Sequence, residues 1–263
     1  MSDESYQRRF GGIARLYGAE GAQRIRGLHI CVVGIGGVGS WAVEALARSG
    51  VGTLTLIDND TICETNMNRQ IHTLSATIDQ SKVAAMAERV KQINPDCDVR
   101  IIDDFLTMAT MQEYLSRGYD YVIDAIDSIK FKSEMIVYCK RNKIPLIMTG
   151  GAGGLSDPTQ IQIADLSKTY NDPLAAKVRS RLRQEYGYTR NPKRKFGIEC
   201  VFSSEQQVYP KDDGSVSCEK PGIHGVSLDC RFGYGASSCV TSVFGFVAAS
   251  RVLKKLTEKK KQD

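Results

Sequence analysis

Short apolar runs recur along the first half of the chain at 28–33, 53–57, 99–102, 121–124 and 144–148. Runs of this length bounded by glycine or polar residues predict buried strands of a parallel sheet. Between them the apolar residues switch to helical spacing. Val38, Ala42, Val43, Leu46 and Ala47 share one face of a helix over 38–49, stopped by Gly50. Val83, Met86, Ala87 and Val90 do the same over 81–93, where Asn94-Pro95 ends the helix. Shorter helical patterns cover 108–115 and 130–142. Strands alternating with helices predict βαβ units, and right-handed crossovers place helices on both faces of the sheet. The expected fold is therefore α/β, a Rossmann-like doubly wound and mainly parallel sheet.

After Gly154 the rhythm changes. A weak alternation at 160–163 and short pieces at 200–202 and 207–209 are strand-like, and 173–186 reads as a very basic helix. Residues 190–235 are rich in Gly, Pro, Ser and charge, which suits a functional loop. A helix over 239–256 with a lysine-rich tail closes the chain. The expected organisation is a helical arm at 1–27, a nucleotide-binding domain at 28–154, and a C-terminal extension of the same globule at 155–263.

Composition narrows the class. The chain has 263 residues, 42% of them apolar and 25% charged, an ordinary balance for a folded domain rather than a disordered chain or a disulfide mini-scaffold. None of the eight cysteines forms a CxxC pair, so no structural zinc is expected and most read as buried reduced thiols. The first ten residues hold no apolar core of a secretion signal, and polar residues interrupt the apolar stretch 239–253. A cytoplasmic protein with no membrane segment is expected.

The sequence Gly34-Ile35-Gly36-Gly37-Val38-Gly39 follows a predicted strand and opens a predicted helix. In that context Gly34, Gly36 and Gly37 let backbone approach a phosphate, and the helix N-terminus supplies free N–H groups. Asp58 stands 19 residues past Gly39 at the end of the next strand, where a carboxylate accepts hydrogen bonds from a ribose. An adenine nucleotide follows, although this unit alone does not choose among NAD, FAD and ATP. The segment Asn66-Met67-Asn68-Arg69-Gln70 and Lys82 shift the choice. Two cations exceed what a pyrophosphate bridge needs and suit a triphosphate undergoing transfer. Asp127 follows a strand at its carboxyl end, placed to hold Mg²⁺ against phosphate oxygens.

These motifs as a set (GIGGVG, LIDND, NMNRQ, DQSK and DAIDS) resemble the E1-like superfamily of adenylating enzymes. Further segments (RFGGIARLYG, NRQIH, TGGAGG, DPTQIQ and DPLAAKVR) are similar to one branch, the tRNA threonylcarbamoyladenosine dehydratases. The resemblance implies ATP and Mg²⁺ as cofactors, with Gly36 and Gly37 at the phosphates and Asp58 at the ribose. It implies that Asp60 and Asn66 shape the pocket, with Gln70 beside them, and that Arg69 and Lys82 neutralise phosphate charge. Asp127 would bind the metal, and Arg9, or Arg8 beside it, would act across a homodimer. Gly150 to Gly154 would lie near the activated carboxylate. A cysteine desulfurase and its sulfur acceptor are implied as partners. The implied reaction is ATP-dependent cyclisation of N6-threonylcarbamoyladenosine at position 37 of tRNA. The alternative is an activator of a small sulfur-carrier protein, and a nicotinamide-dependent oxidoreductase is a third class. Cys230 is the candidate for a covalent intermediate, though a structural thiol is the preferred reading. Trp41 reads as core.

Charge distribution adds a partner surface. The net +5 resolves into +5 for 171–200, +4 for 251–263, and −4 for the remainder. Lys177, Arg179, Arg181, Arg183, Lys193, Arg194 and Lys195 are therefore expected to meet the phosphates of the tRNA anticodon arm.

Overall fold

The computed structural model describes residues 3–211, 213–219 and 235–258. Helix α1 (Asp3–Gly27) changes direction at Gly18, whose φ of 76° lies in the left-handed region. The chain then enters β1 (His29–Val33), α2 (Gly39–Arg48), β2 (Thr53–Ile57), α3 (Lys82–Ile93) and β3 (Asp98–Ile102). It continues through α4 (Met111–Leu115), β4 (Tyr121–Asp124), α5 (Ile129–Arg141) and β5 (Leu146–Thr149). The last third holds β6 (Ile161–Asp165), α6 (Pro173–Glu185), β7 (Glu199–Ser203), the short β8 (Tyr209–Pro210) and β9 (Val216–Ser217), and α7 (Ser238–Thr257).

Seven strands form one sheet in the order β3-β2-β1-β4-β5-β7-β6. All its pairings are parallel except β6 with β7. The first three strands wind outward from β1, and the chain then returns to place β4 on the other side of β1. That reversal is the topological switch point, beyond whose carboxyl edge ligands bind in open α/β sheets. Register puts Val33 opposite both Ile57 and Asp124. The residues that follow these three, Gly34, Asp58 and Ala125, therefore share one edge.

Two apolar layers enclose the sheet. On one face Ile30, Val32, Leu54 and Leu56 pack against α2, α3 and α7. On the other, Cys31, Val33 and Val122 meet α4 and α5, while Met148, Cys200 and Phe202 meet α6. Helices α2 and α7 lie unusually close: a Cβ on Gly245 would stand 2.5 Å from the Val38 carbonyl oxygen and 2.9 Å from the Trp41 Cβ. No helix among the described residues is long and apolar enough to cross a membrane.

The doubly wound architecture matches the expectation, with instructive differences. Segments 161–165 and 199–203 are full members of the main sheet. The crossover from β5 to β7 runs through a glycine-rich loop, an edge strand and α6, so it lacks the regular strand–helix alternation of the first half. Helix α4 is shorter than its apolar pattern because Thr107 and Thr110 bind each other's backbone and tighten the chain before it. The loop around Gln207 is not a strand, and pairing begins only at Tyr209.

Candidate active site

The first turn after β1 is built by glycines with different duties. Gly34 has φ of 87°, and a Cβ there would stand 2.9 Å from the Ala125 carbonyl. At Gly39 a Cβ would fall on the Gly34 oxygen. These two are required by the turn itself. Gly36 and Gly37 instead face the opposite wall, where Gln70 Nε2 and Arg69 Cγ stand 3.9 and 3.2 Å from their would-be Cβ positions. Helix α2 opens without a side-chain cap at Val38; Ser40 N donates to Gly36 O at 3.1 Å, and the helix N-terminus presents its positive dipole end to an anion.

Asp58 continues from β2 into this edge. Its carboxylate accepts hydrogen bonds from Ile35 N at 2.6 Å and Asp60 N at 2.9 Å. Burial raises its carboxyl above the usual value, and the nearby Lys82 ammonium opposes that rise. Lys82 starts α3 almost fully buried and donates to Asp60 Oδ2 at 2.7 Å. Asn66 is buried in a tight turn where its Oδ1 accepts from Cys63 N at 3.1 Å.

Arg69 is fixed from several directions. Its guanidinium donates to Thr65 O at 2.7 Å and Asn68 Oδ1 at 3.0 Å. Its own carbonyl accepts from Trp41 Nε1 at 2.9 Å and Thr241 Oγ1 at 3.4 Å. Trp41, read from sequence as core, is half-buried and ties α2 to this loop, while Phe246 of α7 packs edge-on against its ring. Gln70 is buried with its Oε1 unpartnered.

Beneath the site, Asp124 and Lys132 form a fully buried ion pair at 2.7 Å. Burial raises the Asp124 carboxyl against the pull of Lys132. Thr149 Oγ1 donates to the Asp124 carbonyl at 3.3 Å and joins β4 to β5. Asp172 caps α6 through Ala175 N at 2.9 Å and also accepts from Gly151 N at 3.1 Å, fixing the glycine turn after β5.

The result is a cleft of about 940 Å³ at the switch point. Gly34, Gly36, Gly37, Asp58, Asp60, Asn66, Arg69, Gln70, Lys82 and Asp127 all line it, as do Gly150 to Gly153. Its volume is at the upper end for a single small ligand. Asp127 is exposed at its rim. One carboxylate beside a phosphate-binding turn is the donor set Mg²⁺ takes when phosphates and water complete its shell.

Arg9 is not in this cleft. It donates to Ile93 O at 3.1 Å, at the far end of α3 from Lys82. Arg8 pairs with Glu4.

The basic segment divides. Lys177 lines the cleft, and Lys193, Arg194 and Lys195 are exposed. Arg179 donates to Thr169 Oγ1, and Arg183 donates to Thr189 O at 3.3 Å with its charge over Phe196. Arg181 turns toward α5 and pairs with Glu185 at 2.7 Å and Glu134 at 3.9 Å. Cys230 lies outside the described residues.

Sequence reasoning missed Gln207 on the cleft wall, and the Asp124–Lys132 pair and Asp172 that support it. Asp172-Pro173 carried a helix-start signal, and only its second bond to Gly151 was hidden. Gln207 had no local signal, because the chain fold alone brings it to the cleft.

A cleft with a phosphate-binding turn at the switch point of a sheet of this order defines a nucleotide-binding α/β enzyme. The chain matches the ThiF family over residues 6–263 and belongs to it. Within that family it belongs with the tRNA threonylcarbamoyladenosine dehydratases. It is 55% identical to the Escherichia coli (strain K12) protein of that name over 257 residues, 97% of this chain and 96% of the relative. It is 56% identical to that of Haemophilus influenzae, over 98% of this chain and 96% of the relative. The solved structure of the E. coli dehydratase in complex with ATP superimposes with a TM-score of 0.86 at 53% identity, covering 97% of this chain and 96% of that one.

Proposed function

We propose that this protein uses ATP to dehydrate N6-threonylcarbamoyladenosine at position 37 of tRNA to its cyclic form. The observation that carries the reading is the cleft that joins a phosphate-binding turn and two cations to a second, glycine-lined half. A free carboxylate is a poor electrophile. Its oxygen attacks the α-phosphorus of ATP, pyrophosphate leaves, and the carboxyl carbon becomes part of an acyl-phosphate anhydride. The carbamoyl part of the same side chain then attacks that carbon. A five-membered ring closes, a proton is lost, and AMP departs with the former carboxylate oxygen. The net change in the nucleoside is loss of one water.

The chain's residues supply position and charge. Gly36, Gly37 and the uncapped start of α2 hold the phosphates, and Asp58 accepts from the ribose hydroxyls. Asp60 orients Lys82, and Asn66 and Gln70 shape the wall. Lys82 and Arg69 neutralise charge that grows on the leaving pyrophosphate. Asp127 would hold Mg²⁺, which supplies further charge neutralisation on the phosphates. Arg9, which in its own chain donates to Ile93 O outside the cleft, would act across a homodimer as the resemblance implies. Ring closure is intramolecular, so holding the side chain in place provides much of the rate. The tRNA lies along the exposed basic groups Lys177, Lys193, Arg194 and Lys195, with Arg179 and Arg183 beside them. Arg181 serves α5 instead. The enzyme acts in the cytoplasm.

The test mixes purified protein with ATP, Mg²⁺ and modified tRNA, digests the tRNA and weighs the nucleoside. Loss of one water that depends on ATP supports the reading. An unchanged nucleoside overturns it.

A further inference from the structure

The second half of the cleft extends from Gly151 to the first turn of α6 and Gln207. Gln207 is only 5% exposed, yet its Oε1 has no hydrogen-bond partner. Buried carboxamides are normally satisfied, so an unpaired one on the wall of a cleft is an acceptor open to a bound group. Its position is set by its neighbours rather than by its own bonds. Two residues before it, the Glu205 carboxylate accepts from Ser156 N at 3.0 Å and Asp157 N at 2.9 Å. One residue after it, Val208 N donates to Gly154 O at 2.9 Å. The opposing Gly151 is held by Asp172, and Gln207 Nε2 stands 3.3 Å from where a Cβ on Gly151 would be. A side chain at position 151 would crowd that approach. Lys177, exposed in the same half of the cleft, carries no ion pair among the described residues and draws an anionic group toward it.

We propose that Gln207 is a substrate-positioning residue whose carboxamide pairs with the ureido group of an N-carbamoyl amino acid in this half of the cleft. A primary amide presents one acceptor and two donors, and a ureido edge presents a carbonyl and an N–H. The two groups are complementary side by side. Such a pair holds the carbamoyl atoms against the activated carboxyl carbon without touching ATP. This inference rests on the proposed reaction and names the group that orients its acceptor.

The experiment compares wild type, Gln207→Leu and Gln207→Glu with modified tRNA. ATP affinity is measured in parallel by calorimetry. Conversion by the wild type is established first, and its absence would be a failure of the proposed reaction, seen before any variant is made. For Gln207→Leu, kcat/KM for tRNA falls on the order of 10- to 100-fold while the ATP Kd stays within about twofold. Gln207→Glu keeps the shape. When protonated it offers a donor and an acceptor, and when ionised only acceptors. Its activity relative to wild type therefore rises as pH falls from about 8 to about 5.5, whereas that of Gln207→Leu stays flat. The proposal is overturned if Gln207→Leu turns over tRNA like wild type, if it loses ATP affinity as much as turnover, or if the relative activity of Gln207→Glu does not change with pH.

Discussion

His72 is 2% exposed, and neither ring nitrogen has a hydrogen-bond partner. It follows the loop that carries Arg69 and Gln70. Burial, aided by the Lys82 and Arg89 charges, lowers its pKa from 6.5 to about 4. The ring is therefore neutral in the folded protein, while in the unfolded chain it takes up a proton as pH falls below 6.5. A depressed histidine contributes stability that is fully present above its unfolded pKa and is lost as pH falls toward its folded one. Between about pH 7.5 and pH 5 the linkage relation gives a loss of about 2 kcal/mol from this one residue. His72→Leu removes the titration and two unpaired polar atoms. The assay is urea unfolding at several pH values for both proteins. Carboxylates titrate equally in the two, so the difference isolates the imidazole. The variant retains about 2 kcal/mol more of its neutral-pH stability at about pH 5 than wild type does. Parallel pH profiles for the two proteins would refute the buried neutral histidine.

Other positions give independent tests. Trp41→Phe keeps an aromatic ring on Phe246 but loses the bond to the Arg69 carbonyl, so the KM for ATP rises about three- to tenfold in steady-state assays with little change in Tm. Gly245→Ala forces a Cβ against Val38 and Trp41 and destabilises the fold by about 1–3 kcal/mol, read by denaturant unfolding. Neutralising Lys193, Arg194 and Lys195 lowers the salt dependence of tRNA binding by about 0.7–0.9 in log–log slope for each phosphate that is no longer neutralised. Arg181→Gln leaves that slope unchanged and lowers stability instead, because Glu134 loses its partner.

The first half of the fold was legible because each βαβ unit repeats one hydrophobic rhythm. The glycine turn, Asp58 and Asp127 were legible for the same reason: strand ends in a parallel sheet all face one edge, so sequence position places them, whereas Lys82 was legible as a cation at the start of the next helix. What stayed hidden depends on non-local packing. Strands β6 and β7 read as short strand-like pieces, and their place in the main sheet follows only from the pairing of β7 with β5. Trp41 shows its role only when the Arg69 loop folds over α2. Gln207 sits 56 residues from Gly151 in sequence yet faces it across the cleft. The basic helix was visible as charge, but composition did not show that Arg181 points to Glu134 while Lys177 points to the cleft.

The fate of one oxygen atom separates adenylation from any other route to the ring. Modified tRNA carrying a heavy-oxygen label in the threonyl carboxylate is converted with unlabelled ATP, and the nucleotide products are weighed. Activation by adenylation predicts that one labelled oxygen leaves with AMP for each ring formed. Label in inorganic phosphate, or ring formation without transfer of label to AMP, would rule out activation by adenylation.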